Sequence, residues 1–212
     1  QVNTQALPVT GIRQRVFGGS VDTLANAITV VNSLNGARAE LIWLYQSDVP
    51  PGELAANNAA VYALEEAPTI PLCNFDSYGD DAKTASNWKL KAPLSGAKPA
   101  RSQIFAALNA GVTPIGIRKN STYLVSRITT RYLNGATVDY RIRDAHKVTV
   151  CDRYVDDLIA KAASNLRNKK IANDPIKNEP VPGPGVVTPR VVKALIDRLS
   201  QDYAENDLLQ NV

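Results

Sequence analysis

The chain has 212 residues, 44% of them hydrophobic and 21% charged, with 24 basic against 20 acidic side chains for a net charge of +4. That is the composition of an ordinary globular protein, and a chain of this length can bury about 70% of the surface its unfolded form exposes. No apolar run approaches the roughly 18 residues that span a bilayer. Cys73 and Cys151 are too far apart for any cysteine-based metal spacing, so no membrane insertion and no metal are expected.

Residues 1–19 are polar and end in Phe17-Gly18-Gly19, and they read as a connector arriving from preceding sequence. An opening at Gln1 and the lack of methionine are expected of a processed protein or of a piece excised from a longer one. Ser20 or Asp22 is placed to cap a helix in which Leu24, Ala27, Ile28, Val31 and Leu34 follow helical spacing, and Gly36 is its expected stop. Ala39 to Tyr45 is apolar on both faces except at Glu40, the pattern of a central strand covered on both sides. Trp43 within it is expected in the core. Pro50-Pro51-Gly52 starts the next helix, alanine-rich from Glu53 to Ala67 and ended by Pro68, and residues 69–73 follow as a short extended segment.

Residues 74–100 are polar with scattered prolines and read as a long, flexible surface loop. Asp76, Asp80 and Asp81 there lack the glycine and closing glutamate of an EF-hand. Ile104, Phe105 and Leu108 then form the apolar face of a short helix, with Gly111 as its left-handed terminus and Pro114 biasing Thr113 to an extended conformation. Strands are expected near 113–119 and 122–131, joined by a turn at Lys119-Asn120-Ser121. Asn134-Gly135 signals another turn, followed by a half-buried strand over 137–143, where Val138, Tyr140 and Ile142 alternate with Asp139, Arg141 and Arg143.

Thr149 to Arg167 has the spacing of an amphipathic helix, with Tyr154, Val155, Leu158, Ile159, Ala162 and Leu166 on its apolar side. Asp152, Asp156 and Asp157 fall near the expected N-terminus and suit the macrodipole. Residues 168–188 hold four prolines and read as a flexible linker, after which Thr188-Pro189 opens a last helix. Val192, Leu195, Ile196, Leu199 and Tyr203 are its expected buried stripe, with Arg190, Lys193 and Asp197 outward.

No catalytic set assembles from these residues, so an enzyme is not expected. His146, the single histidine, has no nucleophile motif to serve, and the adjacent pairs Glu65-Glu66 and Asp156-Asp157 diverge on a helix. Phe17-Gly18-Gly19 has no predicted strand leading into it and is set aside as a phosphate cradle. Both cysteines lie beside apolar residues and are expected reduced and partly buried. The basic excess lies in residues 101–212, which hold 17 basic and 11 acidic side chains. A nucleic-acid-binding or other monomeric binding module is therefore the alternative function, although no RNP pattern accompanies the charged strand.

Gly111-Val112-Thr113-Pro114, followed at family-like separation by Ile128-Thr129-Thr130, resembles the C-terminal conserved region of contractile phage tail sheath proteins, particularly those of Mu-like phages. Leu34-Asn35 with Arg38, the Ala55-Ala56 helix start, and Ala67-Pro68 through Pro71-Leu72 extend the resemblance over roughly residues 20–210. In the family an arginine tends to lie one residue earlier, where this chain has Ser126. Arg127 takes the adjacent place, and strand alternation turns its charge to the other face.

The resemblance implies a structural subunit of the virion tail, assembled in the bacterial host cytoplasm. It implies polymerisation with other sheath subunits around a tail tube protein, locking by a baseplate, and contraction without a nucleotide or other cofactor. It also implies that terminal arms link the subunits by strand addition. With those arms absent, this fragment is expected to be monomeric. Its last helix is expected towards the tube, which makes Arg190, Lys193 and Arg198 the candidate partner-contact residues. The expected fold class is α/β, a two-layer α/β sandwich with helices packed on a mixed β-sheet, covering residues 20–212 behind the 1–19 connector.

Overall fold

The computed structural model describes residues 14–65, 73–76, 90–118, 121–175, 183, 185–206 and 208. Its architecture turns on β2, Ala39–Trp43, where burial on both faces leaves no polar side. Ile42 and Leu44 pack on one face with Leu54, Val61, Leu90, Ile115 and Leu124. Leu41 and Trp43 pack on the other with Ala27, Val31, Ala107 and Val112. Each large side chain taken fully out of water contributes about 1.5–3 kcal/mol. The indole N–H of Trp43 keeps a partner, the Asp22 carbonyl at 2.8 Å.

The sheet is mixed and five-stranded, in the order β1 (Val16–Ser20), β2, β4 (Thr113–Arg118), β5 (Ser121–Ser126), β3 (Cys73–Asp76). β1, β2 and β4 run parallel, and β5 is antiparallel to both β4 and β3. Helix α1 (Leu24–Leu34) and helix α3 (Arg101–Asn109) cover one face, and helix α2 (Pro51–Glu65) covers the other. The expected α/β class, helices on a mixed sheet, is observed. Helices on both faces add a third layer to the two expected, as the two-sided burial of β2 requires.

Several element ends differ from expectation for local physical reasons. The 1–19 connector ends in a strand: Gly18 and Gly19 lie inside β1, because a Cβ on Gly19 would stand 2.0 Å from the Pro51 carbonyl oxygen. Gly19 thus permits a close backbone approach, while a Cβ on Gly18 would meet the Leu41 side chain at 2.9 Å. Thr23, not Ser20 or Asp22, caps α1 by accepting from the Asn26 N–H. Asp22 instead bonds the Asn26 side chain at 2.6 Å, and this bond, with a second from the Thr23 N–H, holds its carboxyl below the usual range. Asn35, at φ 34°, takes the left-handed terminus expected of Gly36. Its amide then pairs with the backbone of Leu133. Gly111 is left-handed as expected, at φ +78°. On α3 the buried residue is Ala107, while Phe105 is 52% exposed.

The turn assigned to Lys119 and Asn120 lies outside the described residues, as do residues 69–72, Asp80, Asp81 and residues 176–182. The loop assigned to 74–100 contains β3, and its later part is anchored by Leu90, whose carbonyl accepts from Thr122 at 2.6 Å. The strand expected over 137–143 is only β7 (Thr137–Val138), a short hairpin with β6 (Leu133–Asn134). Asp139 binds the backbone and guanidinium of Arg141, which curls the chain and leaves Val138 and Tyr140 each 49% exposed. Those bonds to Arg141 hold the Asp139 carboxyl down at about 2.

The chain divides into two compact units, residues 1–149 and 150–212. Helix α4 (Ala145–Leu166) begins in the first and supplies most of its length to the second. It starts four residues before the expected Thr149, because Asp144 caps it at the His146 N–H. Asp152, Asp156 and Asp157 therefore sit beyond the first turn and outside the macrodipole's reach. In the second unit, β8 (Lys170–Ile171) and β9 (Val186–Val187) form a short parallel pair within the expected linker. Helix α5 (Pro189–Glu205) starts with proline in its first turn, as expected. Its core is small: Val150, Leu199 and Tyr203, with Tyr154, Leu158 and Leu208 against them. Ile196, assigned to the buried stripe, is 38% exposed, and Ile159 on α4 is 50% exposed. Cys151 is exposed rather than partly buried.

Candidate functional site

Two places gather the polar residues that the sequence singled out. The first, in residues 1–149, is built around Glu40. A carboxylate on a strand buried on both faces cannot keep its water, so it must find cations or neutralise. Glu40 is 2% exposed and receives the Arg127 guanidinium through both oxygens, the Nε–Oε2 bond measuring 2.9 Å. Arg15, immediately before β1, donates to Oε1 at 3.2 Å and to the Thr149 hydroxyl at 2.7 Å. The ring of Tyr62 on α2 lies against both guanidinium groups, 4.4 Å from that of Arg127 and 4.7 Å from that of Arg15. Phe17 packs on the same ring at 5.6 Å.

This cluster joins β1, β2, α2, the end of β5 and the start of α4. Position 127 turns to the face opposite its neighbour Ser126, and there its charge meets Glu40. The sequence carried a usable signal in Glu40, the one charge in an otherwise apolar strand. Arg15, Tyr62 and Thr149 carried none, since each is brought in by tertiary packing.

Beside the cluster is a second junction, made of uncharged residues. β5 ends at Ser126, and the chain beyond it swings across to β2, where Thr129 bridges Glu40 and the Thr130 N–H donates to the Ala39 carbonyl at 2.8 Å. The Thr130 hydroxyl bonds the N–H and carbonyl of Gly36 at 2.9 and 3.1 Å. The Thr113 hydroxyl does the same for Ile128, at 2.9 and 3.1 Å. Gly111 completes the contact, since a Cβ there would lie 3.1 Å from the Thr129 carbonyl oxygen.

The second place is the surface of residues 150–212. Asp174 accepts from the Arg190 N–H at 3.0 Å, at the start of α5. A hydrogen bond from Thr188 and this backbone bond depress its carboxyl. Lys193 pairs with Asp197 one turn on, at 2.6 Å. Arg190, Lys193 and Arg198 are all exposed and fall within an arc of about 140° on the helix. At about 100° per residue, Arg190 lies between the other two, about 60° from Lys193 and about 80° from Arg198. Arg198 also lines a recess of about 470 Å3 with Lys161, Leu166, Lys169, Leu195 and Asp202. A second recess, of about 300 Å3, shares Leu166 and Lys169 and is lined further by Ile171, Val187, Pro189 and Val192.

Within this unit Lys161 donates to Asp202 at 2.8 Å, and that bond lowers the Asp202 carboxyl. The Tyr203 hydroxyl donates to Asp157 at 2.7 Å. Burial, with that bond, pushes its phenol above the ordinary tyrosine range. Tyr154 meets Tyr203 edge to face at 5.2 Å.

Among the described residues no group of three or more His, Cys, Asp or Glu could hold a metal ion. No helix there is long and apolar enough to cross a membrane. No protein-family model matches the chain, and no curated protein matches it either.

Proposed function

We propose that this chain is the C-terminal portion of a contractile tail sheath subunit. In that role it polymerises around an inner tail tube in the virion tail and contracts to drive the tube through the host cell envelope. One observation carries the reading. Residues of the resemblance far apart in sequence, Asn35, Gly111, Thr113 and Ile128-Thr129-Thr130, meet at or beside one buried junction with Gly36 and Ala39. There they lock the end of β5 to the starts of β2 and β4. A motif whose members bind one another's backbones suits an element that transmits force better than one that handles a substrate.

On this reading Arg190, Lys193 and Arg198, within an arc of about 140° on α5, are the tube-facing residues, with Arg190 and Lys193 the pair to reverse first. Negative-stain electron microscopy of the chain extended to both ends of its reading frame is the test. Hollow striated cylinders are expected, and charge reversal at Arg190 and Lys193 together is expected to stop their assembly on tubes. Dispersed particles at high concentration, with nucleic-acid affinity that falls steeply with salt, would replace the sheath reading with the binding-module one.

A further inference from the structure

The two recesses of residues 150–212 share Leu166 and Lys169 in their linings, and the larger lies as a groove along the α4–α5 pair. Its floor is aliphatic and its rim is cationic. Leu166, Val191 and Leu195 lie in the floor, with Val191 43% exposed. Lys161, Lys169 and Arg198 stand on the rim. The one carboxylate there, Asp202, is already bound to Lys161. Arg198 lies near enough to Asp202 for its charge to help lower that carboxyl, but it is not hydrogen-bonded to it, and Lys169 forms no ion pair among the described residues.

We propose that this groove is a docking site for an acidic amphipathic helix of a partner protein. The helix would seat leucine-like side chains on the floor and set carboxylates against Lys169 and Arg198. The inference does not depend on the sheath reading. The shape and lining choose the occupant. A concave floor cannot meet the flat face of a bilayer, although lysines beside apolar residues would otherwise suit anionic lipid. No aromatic residue lines either recess, so bases would find no stacking platform. From Val191 to Asp202 the groove runs about 16 Å along α5, the length of three helical turns. That matches a helix presenting anchors at i, i+3, i+4 and i+7, the spacing of helix-in-groove recognition.

The test uses the full chain and a labelled peptide of about 14 residues, long enough to cover the groove. It carries leucine at the four anchor positions and glutamate on its other face. Fluorescence anisotropy is expected to show saturable binding that weakens as salt rises. Lys169→Glu with Arg198→Glu should weaken it at least about tenfold. Arg190→Glu with Lys193→Glu makes the same change in net charge elsewhere on α5 and should alter it less than about twofold. Ala194→Trp, which fills the recess without touching a charge, should abolish binding while leaving the circular dichroism unchanged. Equal weakening by the two double variants would reduce the effect to general attraction and overturn the proposal. So would equal affinity for a lysine-faced peptide, tighter binding of single-stranded DNA or anionic vesicles than of the peptide, or a groove closed by self-association of the chain.

Discussion

Charged side chains do different work in the two compact units. In residues 1–149, Glu40 and Arg127 are each 2% exposed, the guanidinium lying against the ring of Tyr62, and neither can recover water. In residues 150–212, Lys161–Asp202 stays partly in solvent and Lys193–Asp197 largely so, with side chains 75% and 51% exposed. A buried pair is costly to form and more costly to break, because the survivor is stranded in a poor dielectric. An exposed pair is worth a few tenths of a kcal/mol. The contrast in packing runs parallel. The first unit buries large side chains on both faces of a sheet, whereas the second closes its two helices over three buried residues. Order in the first is specified by burial. The second keeps exposed the residues through which a partner could be met.

The largest test of this contrast is Glu40→Gln, which leaves two guanidinium groups facing a neutral amide. A loss of about 3–5 kcal/mol is expected in urea unfolding followed by circular dichroism. Replacing Glu40 and Arg127 together by methionine and leucine should cost less, since it removes one guanidinium with the carboxylate, and Arg15, its side chain 6% exposed, keeps the Ala145 carbonyl and Thr149 hydroxyl as acceptors. If Glu40→Gln cost under about 1 kcal/mol, the cluster would be energetically no different from the exposed pairs.

Leu199→Ala comes next. A cavity in so small a core should cost about 2–4 kcal/mol, and hydrogen exchange should locate the loss. Amides of α5 are expected to lose protection while those of β2 keep theirs. Uniform loss along the chain would merge the two units into one cooperative body.

The smallest effect concerns Tyr203. Its phenol titrates above the unfolded value of 10.0, so the folded state holds the proton more tightly. The stability this gives is complete below about pH 10 and is lost as pH rises from there through the folded value. Tyr203→Phe should cost about 1 kcal/mol at neutral pH and flatten the alkaline limb of the stability curve of residues 150–212. An unchanged alkaline limb would mean that the bond to Asp157 does not hold the proton.

What the sequence determined by itself is local or periodic. The two-sided apolar run of β2, the helix begun by Pro51, the left-handed Gly111, the Asn134-Gly135 turn and the Thr188-Pro189 helix start all follow from backbone preference or spacing over a few residues, and each is where the pattern put it. Where two local solutions compete, neighbours far along the chain decided. Asn35 displaces Gly36 as the terminus of α1 because its amide has Leu133 to bind. The strand pattern over 137–143 yields to a turn because Asp139 binds Arg141. Helix α4 starts early because Asp144 is free to cap it.

The polar sites lay still further from view. Glu40 and Arg127 are 87 residues apart, and only the swing of the chain after Ser126 puts the arginine beside the carboxylate. On α5 the spacing of Arg190, Lys193 and Arg198 could be counted from the sequence, but the recess that receives Arg198 needs α4 beside it. Periodicity tells which residues leave water. Which of them meet is settled by packing, because the free energy of a buried charge depends on neighbours that chain order does not name.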